Sequence, residues 1–250
     1  MIACRSVESW PRDLQPRSAA LARVFPTLGE FEDLAAREFE RIPAQYRSGI
    51  VSLTINEGSE RHPTIPDWFT LGYCQAYLPS LYAGEDAEVT SEIVLFYGSF
   101  KAIALRDDSF DVDAELWETL THELRHHLEQ RAGIDDLDAE DYALEHDQRR
   151  RSGLEFDPAY YRAGEELDAG VYRVDLDLYL EIDWGRHEWT KRSGTSLTLT
   201  FEELEVEVTV PEMPASGPFF EIAGESPFER GRSSGEVILV WIVRGGRLER

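Results

Sequence analysis

The spacing of apolar residues changes period along the chain. In "TLGEFEDLAAREFERIP" (27–43), Phe31, Leu34, Ala35 and Phe39 recur at helical spacing, Thr27 and Glu30 stand as a capping box, and Pro43 is the stop. "GIVSLTIN" (49–56) alternates and is β-branched, which predicts a strand. "TLGYCQAYL" (70–78) and "EIVLFYG" (92–98) predict two more, parted by a polar, glycine-containing loop at 82–90. Short helices are expected over 17–24 and 100–106, a long one from about Val112 to Ala132 with Gly133 as its stop, and another over 138–149.

After residue 165 the period is two. "GVYRVDLDLYLEIDW" (170–184) and "SLTLTFEELEVEVTV" (196–210) alternate throughout, "GEVILVWIVRG" (235–245) reads as a buried strand, and no helix signal of comparable strength occurs. Between the two regimes, "DQRRRSGLEFDPAYYRAGEE" (147–166) runs from charge through Gly and Pro to tyrosines, which places a boundary near Arg151. The expected organisation is an extension over 1–26, an α+β domain over 27–150, a linker over 151–165, and an all-β, antiparallel, sandwich-like module over 166–250.

Composition narrows the function. With 42% hydrophobic and 11% aromatic residues, the 250-residue chain can bury a sizeable core. Its net charge of -24, from 49 acidic and 25 basic residues, repels nucleic-acid phosphates and argues against a nucleic-acid partner. Two cysteines, Cys4 and Cys74, make no disulfide framework, so a reduced compartment is expected. The start shows no apolar signal stretch, and no window approaches the ~20 apolar residues of a membrane helix, so the expectation is a soluble cytoplasmic protein without a membrane partner.

The chemistry concentrates in "ETLTHELRHHLEQRAGIDDLD" (118–138), where His122 and His126 frame Glu123 as H-E-x-x-H. On a helix, Trp117, Leu120, Leu124 and Leu128 form an apolar stripe, and the two histidines project together from the opposite side, able to reach one ion. Glu123 stands about 100° round the helix from His122, placed to address water rather than the ion. Two imidazoles and a carboxylate of this kind suit Zn²⁺ and metal-assisted hydrolysis, with Glu123 as general base. A third ligand is needed. Glu129 lies on the same face but about 10 Å of rise from His122, too far to join it. Candidates therefore follow the turn at Gly133: Asp135, Asp136, Asp138 and Glu140, with Glu145 and His146 more remote. The competing reading is a solvated helix face, and a third is a harder cation such as Ca²⁺ in the acidic stretch 135–141, which lacks EF-hand spacing. No G-x-S-x-G motif supports serine chemistry, and Cys74 reads as a small core residue.

The stretches "FEDLAAREFERIP", "GIVSLTINEG", "LGYCQAY", "EIVLFYGSFKAIA" and "WETLTHELRHH" occur in the order and spacing of the small bacterial zincin-like metallopeptidase family, which residues 31–142 resemble. That resemblance implies a zincin-like fold, His122 and His126 as metal ligands and Glu123 as general base. In the family the motif continues as H-H-x-G-x-x-D; here "EQRA" (129–132) adds about one helical turn, and counting from Gly133 makes Asp136 the implied third ligand, with Asp135 next. His127, the doubled histidine, lies nearer the apolar edge and reads as structural. Residues 204–243, with "VTVP", "FEIAG" and "GEVILVWIV", resemble the substrate-binding β-domain of DnaJ-type co-chaperones, which implies capture of extended polypeptide by strand addition. The expected function is zinc-dependent peptide hydrolysis on a polypeptide substrate or client held by the β-module. The alternative is a chaperone-related polypeptide-binding protein whose metal site is not catalytic.

Overall fold

The computed structural model describes residues 25–77, 89–107, 110–134, 136–213, 218–230 and 233–244. The helix expected over 17–24 and Asp135 lie outside these residues, as does most of the loop expected at 82–90. The chain divides into two compact units, Met1–Asp141 and Tyr142–Arg250, which part within a helix.

In the first unit, α1 (Leu28–Arg41) opens on the expected capping box: Glu30 N–H donates to Thr27 Oγ1, and Thr27 N–H donates to Glu30 Oε2 at 2.8 Å. A single turn, α2 (Ala44–Arg47), leads into β1 (Ile50–Asn56). After a two-residue pair, β2 (Glu60–Arg61) with β3 (Phe69–Thr70), come β4 (Gly72–Tyr77), β5 (Thr90–Phe96) and α3 (Tyr97–Ala104). The sheet is mixed, in the order β1-β5-β4, with β1 parallel and β4 antiparallel to β5, so among the described strands β4 is an edge. Its apolar face (Leu71, Ile93, Leu95) packs on Phe31 of α1 and on Leu116 and Leu120 of α4 (Val112–Ala132).

Helix α4 has the bounds its pattern predicts. Asp111 caps it by accepting from Asp113 N and Ala114 N, and Gly133 ends it at φ 70, a left-handed turn that glycine adopts at no steric cost. Trp117 and Leu124 close a second small core with Ile42, and the Arg41 guanidinium lies 3.6 Å over the Trp117 ring. Each fully buried leucine of α4 contributes about 1.5–3 kcal/mol. The side expected to be polar is buried too: His122 is 3% exposed, Glu123 2% and Glu129 8%. This is not a solvated helix face.

The second unit is β-rich, as expected. Its five-stranded sheet has the order β11-β12-β8-β7-β6, from β6 (Glu165–Asp168), β7 (Val171–Val174), β8 (Asp177–Gly185), β11 (Phe219–Arg230) and β12 (Ser233–Arg244). A hairpin of β9 (Ser196–Phe201) and β10 (Leu204–Thr209) covers one face, with Val206 against Leu178, Leu180, Leu239 and Trp241. Ala143, Tyr160 and Tyr161 cover the other, against Tyr179, Ile238 and Val240. Each long alternating stretch of the sequence folds into two strands, turned at Asp175 (φ 53) between β7 and β8 and at Glu202 (φ 51) between β9 and β10.

Two features depart from an antiparallel, all-β module. Strands β8 and β12 pair in parallel, which their long separation in sequence permits. Helix α6 (Arg186–Arg192) interrupts the strands because Trp189 is fully buried, its indole N–H donating to Pro211 O at 3.0 Å. A seven-residue helix held by one buried indole has too few turns to leave a periodic signal.

Candidate metal centre

Helix α4 sets His122 and His126 one turn apart, with ring centroids 4.9 Å from each other. The third member of the cluster comes from α5 (Asp136–Arg151) and is Asp141. Its Oδ2 lies 3.1 Å from His126 Nε2 and its Oδ1 3.5 Å from His122 Nε2. One ligand atom from each residue falls within 4.8 Å of the others, and this is the one such group of three or more potential ligands among the described residues. Ligands ~2.0–2.1 Å from a tetrahedral zinc stand roughly 3.3–3.4 Å apart, so two imidazole nitrogens and a carboxylate oxygen in this arrangement fit the ion. His126 turns its other nitrogen, Nδ1, to Asp138 Oδ1 at 3.5 Å, as an outer carboxylate does when it orients a ligating imidazole.

Asp136, the third ligand the resemblance implies, lies outside this cluster, and Asp141 stands in the third place. Helix α4 runs about 9 Å of rise beyond His126 before it ends at Ala132, so the returning helix must climb a similar distance before a side chain is level with the histidines. Asp136 opens α5 and is exposed at its foot; Asp141 stands about 7.5 Å further up. The other candidates are engaged elsewhere: Glu140 accepts from Arg125, Glu145 pairs with Arg149, and His146 Nδ1 accepts from Asp157 N.

Glu123 is buried beside the cluster, and its carboxylate accepts the backbone N–H of Cys74 on β4. Burial pushes its carboxyl above the usual range, while the charges of His122 and His126 oppose this. Burial also disfavours the Asp141 carboxylate, but His122 and His126 outweigh it and hold the group at about 2. Asp141 thus stays ionised, the form that ligates a metal.

His127 faces away from the cluster. Its Nε2 is 2.8 Å from Ser48 O, which can only accept, so the proton is on Nε2 and Nδ1 accepts from Ser91 Oγ at 2.8 Å. Burial pushes its pKa down, which keeps the ring neutral in this double bond. Cys74 is half-buried, and burial, the largest influence on it, pushes its thiol up to about 11.

No described helix is long and apolar enough to cross a membrane. The sequence profile of the zincin-like metallopeptidases matches residues 52–145, a span that includes α4 and Asp141. Among solved structures, a conserved hypothetical protein from Thermo thermophilus is 36% identical over 44% of this chain and 100% of its own, with a TM-score of 0.37. No curated protein matches. With H-E-x-x-H at His122–His126 inside the matched span, residues 52–145 carry the sequence pattern of the zincin-like metallopeptidase family.

Proposed function

We propose that this chain is a zinc-dependent peptidase in which His122, His126 and Asp141 hold the ion and Glu123 is the general base. The observation that carries the reading is the convergence of the two helix-borne imidazoles with a carboxylate from the next helix, beside a buried glutamate. Bound there, zinc supplies Lewis-acid chemistry that makes water nucleophilic near neutral pH. Glu123 receives the proton on its carboxylate. The Cys74 N–H fixes that group in place. Because Cys74 N–H points to Glu123, it points away from β5, so the open edge of β4 runs past the base. An extended polypeptide paired with that edge brings a peptide carbonyl alongside Glu123, which supports polypeptide as the substrate class.

The test uses the intact, untagged chain. About one zinc per chain by elemental analysis, lost in His122→Ala/His126→Ala, and cleavage of an unfolded fluorescent casein are expected. Glu123→Gln is expected to keep the metal and lose turnover about 10²–10⁴-fold. Unchanged turnover in Glu123→Gln, or no metal in the native chain, overturns the reading.

A second reading is polypeptide binding without hydrolysis. The C-terminal sheet ends in the edge strand β11, where Ile222 is 58% exposed before the first bulge, a surface suited to strand addition. Casein binding that persists in Glu123→Gln, with no cleavage by either protein, would favour it.

A further inference from the structure

We propose that Arg125 and Glu129 form a positioning clamp that sets the register of α5 against α4 and so selects Asp141 as the third carboxylate of the metal site. The inference rests on the metal site proposed above and concerns residues that are not ligands.

Glu129 is 8% exposed, and both its oxygens are used. Oε1 accepts from Arg125 Nε at 2.7 Å, and Oε2 accepts from the backbone N–H of Leu137 at 2.8 Å. Leu137 lies in the first turn of α5, where backbone N–H groups have no partner within the helix, and its side chain is 1% exposed. Arg125 also donates Nη1 to Glu140 Oε2 at 3.1 Å. One guanidinium thus bridges a carboxylate of its own helix and one of the returning helix. A planar, fixed fork makes that possible, and a lysine ammonium would not reproduce it.

These bonds fix an antiparallel register in which Glu129 meets Leu137, Arg125 meets Glu140 and His126 meets Asp141. Leu137 and Asp141 are one turn apart on α5, and His126 and Glu129 one turn apart on α4, so the clamp lies one turn below the metal site on the same pair of faces. A slip of α5 by one turn, about 5.4 Å, would carry Asp141 out of reach of His122.

The experiment is a double-mutant cycle on the intact chain. Zn²⁺ affinity is read by competition with a chromophoric chelator, and the visible spectrum of the Co²⁺-substituted protein reports the ligand set. Glu129→Ala and Arg125→Ala are each expected to weaken Zn²⁺ binding about 10–100-fold and to alter the Co²⁺ spectrum toward that of Asp141→Ala. In an Asp141→Ala background the same changes are expected to alter affinity by no more than about twofold, because the clamp acts through Asp141. Glu129→Gln, which keeps an acceptor for Leu137 N–H but turns its amide N–H2 toward the Arg125 donor, should recover only part of the loss. Arg125→Ala removes no buried hydrogen-bonded group from the foot of α5, so it reads the clamp even where Glu129→Ala fails to fold. Equal losses with and without Asp141, or native affinity in both Arg125→Ala and Glu129→Ala, overturn the clamp. Native Zn²⁺ affinity in His122→Ala/His126→Ala instead overturns the site itself.

Discussion

The doubled histidine offers the most direct test of how α4 is held. His127 is fully buried and makes two hydrogen bonds of 2.8 Å, to Ser48 O before β1 and to Ser91 Oγ on β5. In His127→Ala the Ser48 carbonyl retains the Arg131 Nη1 donor at 2.8 Å, so its loss is partly covered. Ser91, itself fully buried, loses the acceptor of its hydroxyl. Two hydrogen bonds at about 0.5–1.5 kcal/mol each, plus part of the cost of a stranded buried hydroxyl, give about 2–4 kcal/mol. Gly49 supplies a check on this geometry. It sits at φ +94, and a β-carbon there would lie 2.9 Å from His127 Cε1 and 3.1 Å from Val89 O. Gly49→Ala should therefore be destabilising in the native chain by about 1–2 kcal/mol from the backbone conformation alone, with a steric contribution in addition. The steric part should fall when the ring is gone, so the two substitutions should couple by about 0.5 kcal/mol or more. The assay is amide hydrogen exchange of α4 peptides under chelation, which removes stabilisation by bound metal. A loss below about 0.5 kcal/mol in His127→Ala, the range of an indifferent surface change, would refute the reasoning.

Three further outcomes are expected. Asp141→Asn should weaken Zn²⁺ binding strongly and Asp136→Asn should leave it near native, since of these two only Asp141 joins the histidine cluster; the reverse order by chelator competition would favour Asp136 as the ligand. Cys74, with its thiol at about 11 against an ordinary 9.0, should react with iodoacetamide at pH 8 about two orders of magnitude more slowly in the folded chain than in urea, and matching rates by peptide mapping would contradict its burial. Asp147 accepts from Tyr160, Tyr179, Arg150 and Arg151; burial disfavours its charge, but Arg151 and Arg150 outweigh that and hold its pKa below the usual value. Its contribution is then present above about pH 4, where a free aspartate is ionised, and is lost as pH falls through the lower folded value. Asp147→Asn should cost about 3 kcal/mol at pH 7, with the gap to the native chain narrowing at pH 3; a gap in urea midpoints that stays constant would contradict the assignment.

Much of the fold is legible because local signals agree with burial. The capping box at Thr27–Glu30, the glycine stop at Gly133 and the β-branched run of β1 each act within a few residues, and the structure uses each as the spacing suggests. The β5–α3 junction is harder. "EIVLFYG" reads as one apolar strand, yet Tyr97 and Gly98 already belong to α3. Gly98 packs against the Gly58 backbone, where a β-carbon would lie 2.6 Å from Gly58 C, a long-range approach that no local pattern encodes. Helix α6 escapes the pattern for the same kind of reason, because its stability comes from the buried Trp189 rather than from periodicity.

In the site, the two histidines and Glu123 are legible because one helix positions all three and its period fixes their directions. The third carboxylate is not, because it depends on how far α4 continues past the turn and where α5 comes back. Counting from the glycine assumes that the turn keeps its distance from the metal; counting in rise along both helices does not. Relative to the spacing the resemblance implies, four added residues lower the turn by about 6 Å, and a partner level with His126 then lies about as much further along the returning helix. From Asp136 that displacement leads to the turn of α5 that carries Glu140 and Asp141, where Glu140 is taken by Arg125 and Asp141 faces the histidines.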